Sequence, residues 1–367
     1  MSQDAMVKDD EDAVAERFSD LTVVDTDVHV GSAISTEELA AHLDEPHASR
    51  ALKGTTSVFP KTNWDRQMGG KIAGVEFSDA DDLYQQLCKE FGVDYPILNT
   101  LNGLNKLPQE DLAVNLMRAL NNVLMEKFVD QKDNFKGLIT IGTQNPEASA
   151  DEIDRLAPEK DVVGAYIATG GPMYPLGDSR YDVIYKAAEK HDLPIVYHGH
   201  AGSFNTDFTR QNQAIDNFFT VHPLAHAWDQ MLTVASLLGS GTPAKFPDLD
   251  FVFLEAGLGW APYMMFRYNK EYAIRRSEVP LLEKSPEQYI RDQFYFSTQP
   301  LGEPENAKDM ERIIELVRPE SIMFSTDYPH WDFDNPESIA NIFRTFSAEE
   351  SNQVFNGNAI DVFNLNT

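Results

Sequence analysis

Cysteine is almost absent from this sequence, since Cys88 is the only cysteine among 367 residues. One cysteine cannot form an internal disulfide bond, which excludes the class of small secreted domains held together by disulfides and agrees with a reducing compartment. Cys88 falls in a predicted helix, where a small packing residue is a more common role than a nucleophile. The sequence gives no support for thiol chemistry.

Long hydrophobic runs are also missing from the sequence. No stretch approaches the roughly 20 apolar residues that cross a bilayer, and the chain does not open with a charged segment followed by an apolar leader. We therefore expect a cytoplasmic protein that neither spans nor binds a membrane.

Basic residues are scarce relative to acidic ones, with 30 Lys and Arg against 59 Asp and Glu and a formal net charge of -29. Such a surface repels phosphate backbones and anionic lipids, which excludes nucleic acid and membranes as partners. The acidic residues are scattered along the chain instead of forming one tail. This distribution is typical of a surface adapted to concentrated salt, so we expect a halophilic cytoplasm.

The charge predicts how stability depends on salt. At about 1 M salt the Debye length falls to about 3 Å, so repulsion between the surface carboxylates is largely screened. The melting temperature should rise as KCl increases from low to molar concentration, as thermal unfolding followed by circular dichroism would show. A melting temperature that stays flat or falls over this range would contradict the prediction.

Strand-like and helical segments alternate along most of the chain, which predicts a parallel sheet. The predicted strands begin at Val23, Tyr95, Phe135, Val162, Pro194, Phe251, Gln293 and Ile322. Eight such units close a barrel, which takes about 250 residues and fits within this length. We therefore predict an α/β fold, a distorted (β/α)8 TIM barrel.

The chain is predicted to hold one folded domain. Residues 1–20 form an acidic N-terminal tail, and residues 21–367 form a single barrel domain. An insertion of about residues 31–93 follows the first strand and carries two predicted helices, over 36–43 and 78–91. A long excursion at this place is unlikely to be a structureless loop. The insertion also offers a surface for a second copy of the chain, which leaves a homo-oligomer open.

Metal-type ligands follow three of the predicted strands. Asp27 and His29 end the first strand, His198 ends the fifth, and Asp327 follows the eighth. Each signal is weak alone, because a loop aspartate more often caps a helix and a histidine at a strand end is more often structural. Since the carboxyl ends of barrel strands converge, the set together predicts a mononuclear site for a divalent cation.

At these residues the sequence resembles the amidohydrolase superfamily, in particular the amidohydrolase-related branch that includes aminocarboxymuconate-semialdehyde decarboxylase and gamma-resorcylate decarboxylase. The segments that carry the resemblance are Val24–His29, Pro194–Gly199, Phe246–Leu249, Glu255–Trp260, Phe324–Asp332 and Asn358–Ala359. The resemblance implies a distorted barrel with a metal held by Asp27, His29, His198 and Asp327. It also implies that Asp327 acts as the acid/base of the reaction.

The sequence departs from the family pattern at two ligand positions. Many relatives carry His-x-His on the first strand, whereas this chain has Asp27 and His29. A carboxylate hardens the site, so the expected ion is Zn, Mn or Fe, with Mg also open. The segment Val162–Thr169 contains no lysine to bridge two metals, which leads us to expect one ion.

The second departure concerns the chemistry. The decarboxylases named above have a histidine after the sixth strand, where this chain has Glu255, which is normally an anion unless burial raises its pKa. His222 and His226 can supply the missing imidazole or can equally be surface residues at a helix start. On Glu255 we favour hydrolysis of an amide, lactone or ester of a small molecule by a metal-activated water.

Two other functions stay open on the sequence alone: non-oxidative decarboxylation of an aromatic or enol carboxylic acid, and metal or ligand binding without catalysis. The expected catalytic residues are Asp327, Glu255 and His200. The residues expected to bind the substrate are Tyr328, His330, Trp331 and His222.

Overall fold

A computed structural model describes residues 21–53, 77–199 and 218–366. The predicted acidic tail, the middle of the predicted insertion and the candidate catalytic residue His200 lie outside the described residues.

Eight parallel strands form one sheet in sequence order, and helices surround it. The strands are β1 (Val24–His29), β2 (Tyr95–Asn99), β3 (Lys136–Thr140), β4 (Val162–Ala168), β5 (Ile195–His198), β6 (Phe251–Leu254), β7 (Phe294–Ser297) and β8 (Ile322–Met323). The amide of His29 donates to the carbonyl of Tyr328 at 2.8 Å, which joins β1 to the segment after β8. The barrel is therefore nearly closed, and the predicted (β/α)8 fold is confirmed.

The last strand is shorter than the sequence predicts, because side chains take the backbone donors that would continue its ladder. The amide of Ser325 donates to Oγ1 of Thr298, and that of Thr326 donates to Oδ1 of Asp25. The predicted strand 322–326 therefore ends as a ladder at Met323, although its chain runs on toward Asp327.

The described helices occur between the strands and after β8. They are α1 (Thr36–Ala40), α2 (His47–Leu52), α3 (Ala80–Leu83), α4 (Glu110–Lys127), α5 (Pro146–Leu156), α6 (Asp182–Lys190), α7 (Phe218–Ser240), α8 (Thr242–Lys245), α9 (Ala261–Arg275), α10 (Pro286–Gln293), α11 (Ala307–Val317), α12 (Pro336–Ile342), α13 (Ala348–Asn352) and α14 (Asn358–Val362). Within the described ranges, none of these helices has the length and hydropathy needed to cross a bilayer.

Helix α7 begins six residues before the predicted start at Leu224. The sequence places a boundary at Pro223, but this proline lies inside the helix near its N-terminal end. A proline there removes only one intrahelical hydrogen bond, so nearby packing can retain the helix. The longer helix brings the residues before Leu224, His222 among them, onto a helical surface.

The C-terminal segment covers the end of the barrel opposite the carboxyl ends of the strands. Val362, Phe363 and Leu365 join an apolar cluster with residues from the first halves of strands, such as Val24 and Val252. Burial of this cluster stabilises the closed sheet. The carboxyl ends of the strands are thereby left as the face available for a site.

The described parts of the insertion are anchored to α4. Lys127 of α4 lies 2.7 Å from the carboxylate of Glu38 in α1, and Asp111 lies 2.7 Å from the imidazole of His47 in α2. Helix α2 has no counterpart among the predicted helices, and α3 continues as a π-helix over Tyr84–Glu90. The residues that follow β1 are therefore held beside the barrel.

Asp250 gives a prediction about the pH dependence of stability. Burial, together with the charge of Asp192, raises the pKa of Asp250 to about 7 in the folded chain. Because the unfolded value is lower, its contribution is fully present below about pH 4 and is lost as the pH rises through about 7. The free energy of unfolding of the isosteric variant Asp250→Asn should therefore exceed that of the wild type by about 1–3 kcal/mol at pH 8 and match it at about pH 3.5. Urea unfolding at the two pH values measures this, and an equal difference at both would contradict it.

Candidate metal centre

Four buried side chains meet at the carboxyl ends of β1, β5 and β8, and we call them the Asp27 cluster: Asp27, His29, His198 and Asp327. Nε2 of His29 lies 3.4 Å from Oδ1 of Asp27 and 2.7 Å from Oδ1 of Asp327. Nε2 of His198 lies 3.4 Å from Oδ2 of Asp27. No member is more than 2% exposed. The structure brings together the four residues that the sequence proposes as metal ligands.

Hydrogen bonds at the far side of each imidazole fix its orientation. Nδ1 of His29 is 2.8 Å from Oδ1 of Asn99, and the amide of Asn99 donates to Oδ1 of Asp27 at 2.8 Å. Nδ1 of His198 is 2.5 Å from the carbonyl oxygen of Gly199. Such bonds on one ring nitrogen are the usual way in which proteins aim the other nitrogen at a metal. Both Nε2 atoms are thus directed into the cluster.

The cluster fits a divalent cation. Oδ2 of Asp27 and the Nε2 atoms of His29 and His198 are buried and make no hydrogen bond among the described residues. Unpaired buried polar atoms are costly, and a cation would satisfy all three. Ligands about 2.1 Å from one ion lie about 3.0–3.4 Å apart; the separations of His29 and His198 from Asp27 match this range at 3.4 Å, whereas Asp327 lies closer to His29, at 2.7 Å. Imidazole with carboxylate suits Zn, Mn or Fe.

Two acidic residues at this face lie in the left-handed backbone region. Glu255, directly after β6, has a φ of 51°, and Asp327 has a φ of 61°. This conformation costs about 1–3 kcal/mol for a residue other than glycine and is concentrated at functional sites. The backbone thus turns both carboxyl groups toward the centre, and Oε2 of Glu255 lies 3.0 Å from Nε2 of His198.

The charges in the cluster are strongly coupled. Burial opposes ionisation of Asp27, but His29 and His198 bring its pKa below its ordinary value. Burial likewise opposes charge on His198, yet Tyr166, Asp27 and Glu255 raise its pKa well above the usual range. Burial and then the charge of Glu255 raise the pKa of Asp327. Protons on His198 and Asp327 therefore compete with a bound cation, and metal affinity should rise with pH.

The residues expected to bind the substrate lie at different distances from the Asp27 cluster. The ring of His330 stacks on His29 at 4.5 Å between centroids, and its Nδ1 is 2.6 Å from Oδ1 of Asp327. His222 lies beside Glu255, with Nε2 at 3.8 Å from Oε1. The ring of Trp331 is 5.4 Å from that of His222, and the residue is 45% exposed. His330 therefore contacts the Asp27 cluster directly, whereas His222 contacts Glu255 and Trp331 contacts His222.

The structure does not bring Tyr328 to the cluster. Its ring is fully buried against Phe77, Phe91 and Phe333, and its hydroxyl donates to Gln86 of the π-helix. Adjacency to Asp327 in sequence predicts the same face, but the turn after Asp327 directs the tyrosine toward the insertion. Tyr328 packs the insertion against the barrel.

Asp25 is also turned away from the ion position, although strict alternation along β1 would place it with Asp27. The pairing of β1 with β2 shifts between Asp25 and Val28. The carboxylate of Asp25 instead accepts from the amide and the hydroxyl of Thr326, at 3.0 and 2.5 Å. It ties β1 to the segment that delivers Asp327.

Sequence reasoning missed two polar residues that hold the ligands. Asn99 ends β2 and contacts both Asp27 and His29, and Gln299, two residues beyond β7, has its amide 3.4 Å from Oδ2 of Asp327. The candidate ligands were selected as polar residues at the carboxyl ends of strands, and Asn99 and Gln299 meet the same criterion. Neither residue type is a common metal ligand, which is why they were passed over.

Asn99 gives a testable prediction for metal binding. Asn99→Ala removes the acceptor for His29 and the donor for Asp27, so both ligands gain freedom. Loss of such an orienting contact typically weakens metal binding about 10–100-fold. Calorimetric titration of the metal-free variant with Mn²⁺ measures the change. Asn115→Ala is the control, because Asn115 is a partly buried asparagine of α4 that bonds within its own helix, and an unchanged affinity in Asn99→Ala would remove Asn99 from the site.

A cavity of about 530 Å³ adjoins the cluster on the side of His29 and His330. The segment after β1, including Ser32, Ser35 and Thr36, and Leu101 after β2 form the rest of its described wall. Cavities of this size accommodate small molecules. The geometry therefore places a small-molecule space beside a candidate cation position.

Comparisons with known proteins agree with this arrangement. A family model described as Amidohydrolase matches residues 24–365. A gamma-resorcylate decarboxylase from Rhodococcus jostii is 26% identical over 337 residues, covering 86% of this chain and 94% of that protein. A dihydroxybenzoic acid decarboxylase from Polaromonas, solved with bound manganese and 2-nitroresorcinol, is 21% identical with a TM-score of 0.69, covering 95% of this chain and 98% of that one. A 5-carboxyvanillate decarboxylase from Sphingomonas paucimobilis is 19% identical with a TM-score of 0.69, covering 94% and 99%.

These relatives show that the expectation of hydrolysis was wrong. They also argue against the alternative of metal or ligand binding without catalysis. The curated relatives are decarboxylases. The hydrolase interpretation depended on Glu255 standing where a histidine was expected. The structure shows why this was misleading: Nε2 of His226 lies 3.4 Å from Oε1 of Glu255, so an imidazole is present in space although it is distant in sequence.

Proposed function

The chain belongs to the amidohydrolase family, and from that premise we propose that it is a metal-dependent, non-oxidative decarboxylase of an aromatic carboxylic acid. The observation that carries the proposal is the Asp27 cluster, in which His29 lies next to both Asp27 and Asp327 and His198 lies next to Asp27, in a chain whose curated relatives are gamma-resorcylate decarboxylases. A buried set of metal-type ligands beside a cavity of small-molecule size supports this chemistry.

The relatives indicate a narrower substrate class. Gamma-resorcylate, which is 2,6-dihydroxybenzoate, and 5-carboxyvanillate are named in the relatives and structural neighbours, and both carry a hydroxyl group next to the carboxyl group that is lost. The hydroxyl side chains of Ser32 and Thr36 in the wall of the cavity can hydrogen bond such groups, whereas the hydroxyl of Ser35 already caps α1. We therefore propose an ortho-hydroxylated aromatic acid as the substrate.

The cation would be held by Asp27, His29, His198 and Asp327, and manganese is the leading candidate because a structural neighbour contains it. When bound, the cation supplies positive charge that favours an anionic substrate over water. The carboxylates of Asp27 and Asp327 balance that charge, while Asn99 keeps the ligands in place.

Asp327 is proposed to carry the proton of the reaction. Replacement of a carboxyl group by hydrogen needs a proton at the ring carbon, after which the carbon–carbon bond breaks and carbon dioxide leaves. Oδ1 of Asp327 faces the imidazoles of His29 and His330 at the buried centre, so this carboxyl group is placed to accept and donate a proton there. His330, 2.6 Å away and partly exposed, can return a proton to it from solvent.

Other residues are proposed to shape the pocket. Glu255 and His222 lie on the side of the cluster toward β6, and Trp331 covers His222. We propose that Trp331 and His330 contact the substrate ring and that Glu255 acts electrostatically on Asp327. His200 stays a proposal from the sequence.

The test is product analysis with the manganese-loaded protein. We expect carbon dioxide and the corresponding phenol from 2,6-dihydroxybenzoate or 5-carboxyvanillate, measured by gas analysis and liquid chromatography. The matched control is 3,5-dihydroxybenzoate, which has the same groups but no hydroxyl beside the carboxyl group. Absence of carbon dioxide from every ortho-hydroxylated acid offered would contradict the proposed substrate class.

A further inference from the structure

A second group of metal-type side chains lies next to the Asp27 cluster. It consists of His222 and His226 of α7, Glu255 after β6 and Asp332 in the segment after β8, and we call it the Glu255 cluster. Nε2 of His222 is 3.8 Å from Oε1 of Glu255 and 3.7 Å from Oδ2 of Asp332, and Nε2 of His226 is 3.4 Å from Oε1 of Glu255. Glu255 is 4% exposed and His226 is 7% exposed. None of the ligands assigned to the first ion is a member.

The local structure explains how these residues meet. His222 and His226 are four residues apart on α7, so their side chains share one face of the helix. A methyl group on Gly199 would come within 2.8 Å of Cα of His226, so glycine at the end of β5 is what lets α7 approach this closely. The left-handed backbone at Glu255 turns its carboxylate toward the same face.

The separations in the Glu255 cluster are those of ligands around an ion. A nitrogen–oxygen hydrogen bond is about 2.7–3.2 Å long, and the three separations of 3.4–3.8 Å exceed it. Two ligands about 2.1 Å from a tetrahedral ion lie about 3.4 Å apart. Two histidines spaced i, i+4 on a helix together with a distant carboxylate are a common way to bind zinc.

The balance of charge also favours a cation over protons. One divalent ion at the Asp27 cluster would balance the negative charges of Asp27 and Asp327. The negative charges of Glu255 and Asp332 would remain without a counter-charge. Protons on both His222 and His226 would balance them, but the two rings are only 5.2 Å apart and largely buried. Two positive rings at that distance repel each other, whereas a single divalent ion supplies both charges.

We infer that the Glu255 cluster is a second metal site, which binds a divalent transition-metal cation through His222, His226, Glu255 and Asp332. The carboxylate of Glu255 then connects the two sites, because its Oε2 faces His198 while its Oε1 faces the two helix histidines. The sequence argues against two ions only because no lysine is available on β4 to bridge them. Here the bridge is a carboxylate, and the extra imidazoles come from α7.

The experiment counts metal ions and needs no substrate, so its result is separate from that of the decarboxylation test. The full chain is stripped with a chelator and titrated with Co²⁺, and bound metal is measured by visible absorption and by mass spectrometry after gel filtration. The wild type should bind two equivalents. His226→Gln and His222→Asn should each bind one, with the visible bands of the lost site missing.

Control variants assign the two ions. His29→Ala should lose the other ion and keep the absorption that His226→Gln loses, and His191→Ala, a histidine paired with Asp154 away from both clusters, should keep two. Circular dichroism checks that each variant folds. A wild type that saturates at one equivalent, or a folded His226→Gln variant that still binds two, overturns the inference.

Discussion

The Asp327→Asn variant is expected to lose about 10³-fold in the rate of carbon dioxide release. Asparagine keeps the size of the side chain but can neither carry the transferred proton nor supply the negative charge. The carboxylate of Asp327 contacts two imidazoles, with Oδ1 at 2.7 Å from Nε2 of His29 and at 2.6 Å from Nδ1 of His330. Few single changes in the described chain remove as much from the site.

Two measurements separate the roles proposed for Asp327. If it serves mainly as a ligand, the asparagine variant binds less manganese and excess metal restores part of the rate. If it carries the proton, the variant remains inactive when fully loaded. In deuterium oxide the wild type should place deuterium at the carbon that loses the carboxyl group, which mass spectrometry of the phenol detects.

Asp334→Asn is the matched control, because Asp334 is a partly buried carboxylate in the same segment. It accepts from the amide of Leu301 at 3.2 Å, which an asparagine oxygen can also do. We expect its rate to stay within about threefold of the wild type. Full activity in Asp327→Asn would remove Asp327 from the mechanism.

The meeting of the four candidate metal ligands could be predicted from the sequence because one geometric rule covers them. Parallel strands in a barrel bring their carboxyl ends to one mouth, so Asp27, His198 and Asp327 meet although 300 residues separate the first from the last. To predict which residues meet, this rule needs only the order of the strands and the identity of the residue at the carboxyl end of each. Hydrophobic patterns give both.

The neighbourhood of Glu255 could not be predicted in the same way. The angle and depth at which α7 packs decide which of its faces meets the barrel. Gly199 permits the close approach, but it is far from α7 in sequence, so the sequence pattern does not reveal the contact. The backbone conformation of Glu255 is equally invisible in a hydrophobic pattern. The sequence left open whether His222 and His226 supply an imidazole near Glu255 or lie on the surface, and the preference for hydrolysis that was based on Glu255 was wrong.

The contribution of Asn99 shows a further limit of reasoning by residue type. Its side chain does not bind a metal by preference, yet it fixes one carboxylate and one imidazole of the Asp27 cluster. A search for ligands finds the residues that would touch the ion and passes over those that aim them. Contacts of this second kind emerge only when the strands are placed side by side.

Removal of the metal is the second change with a large expected effect. Stripping the protein with a chelator should lower carbon dioxide release at least about 10²-fold and should also lower the melting temperature. The chelated chain keeps buried carboxylates at Asp27 and Asp327 without their counter-charge, and protons must replace it. An ion present at 1,000 times its dissociation constant stabilises the folded chain by about 4 kcal/mol, which is a shift of several degrees.

Addition of Mn²⁺ to the stripped protein should restore both the rate and the melting temperature, and restoration should be less complete at lower pH. Metal binding should weaken as the pH falls because the neighbours of His198 raise its pKa, and its proton must leave before a cation can bind. The control is Asn99→Ala, in which more Mn²⁺ should be needed for the same recovery. A metal-free protein that retains the full rate would show that the Asp27 cluster acts through its own protons, and the proposed role of the cation would have to be abandoned.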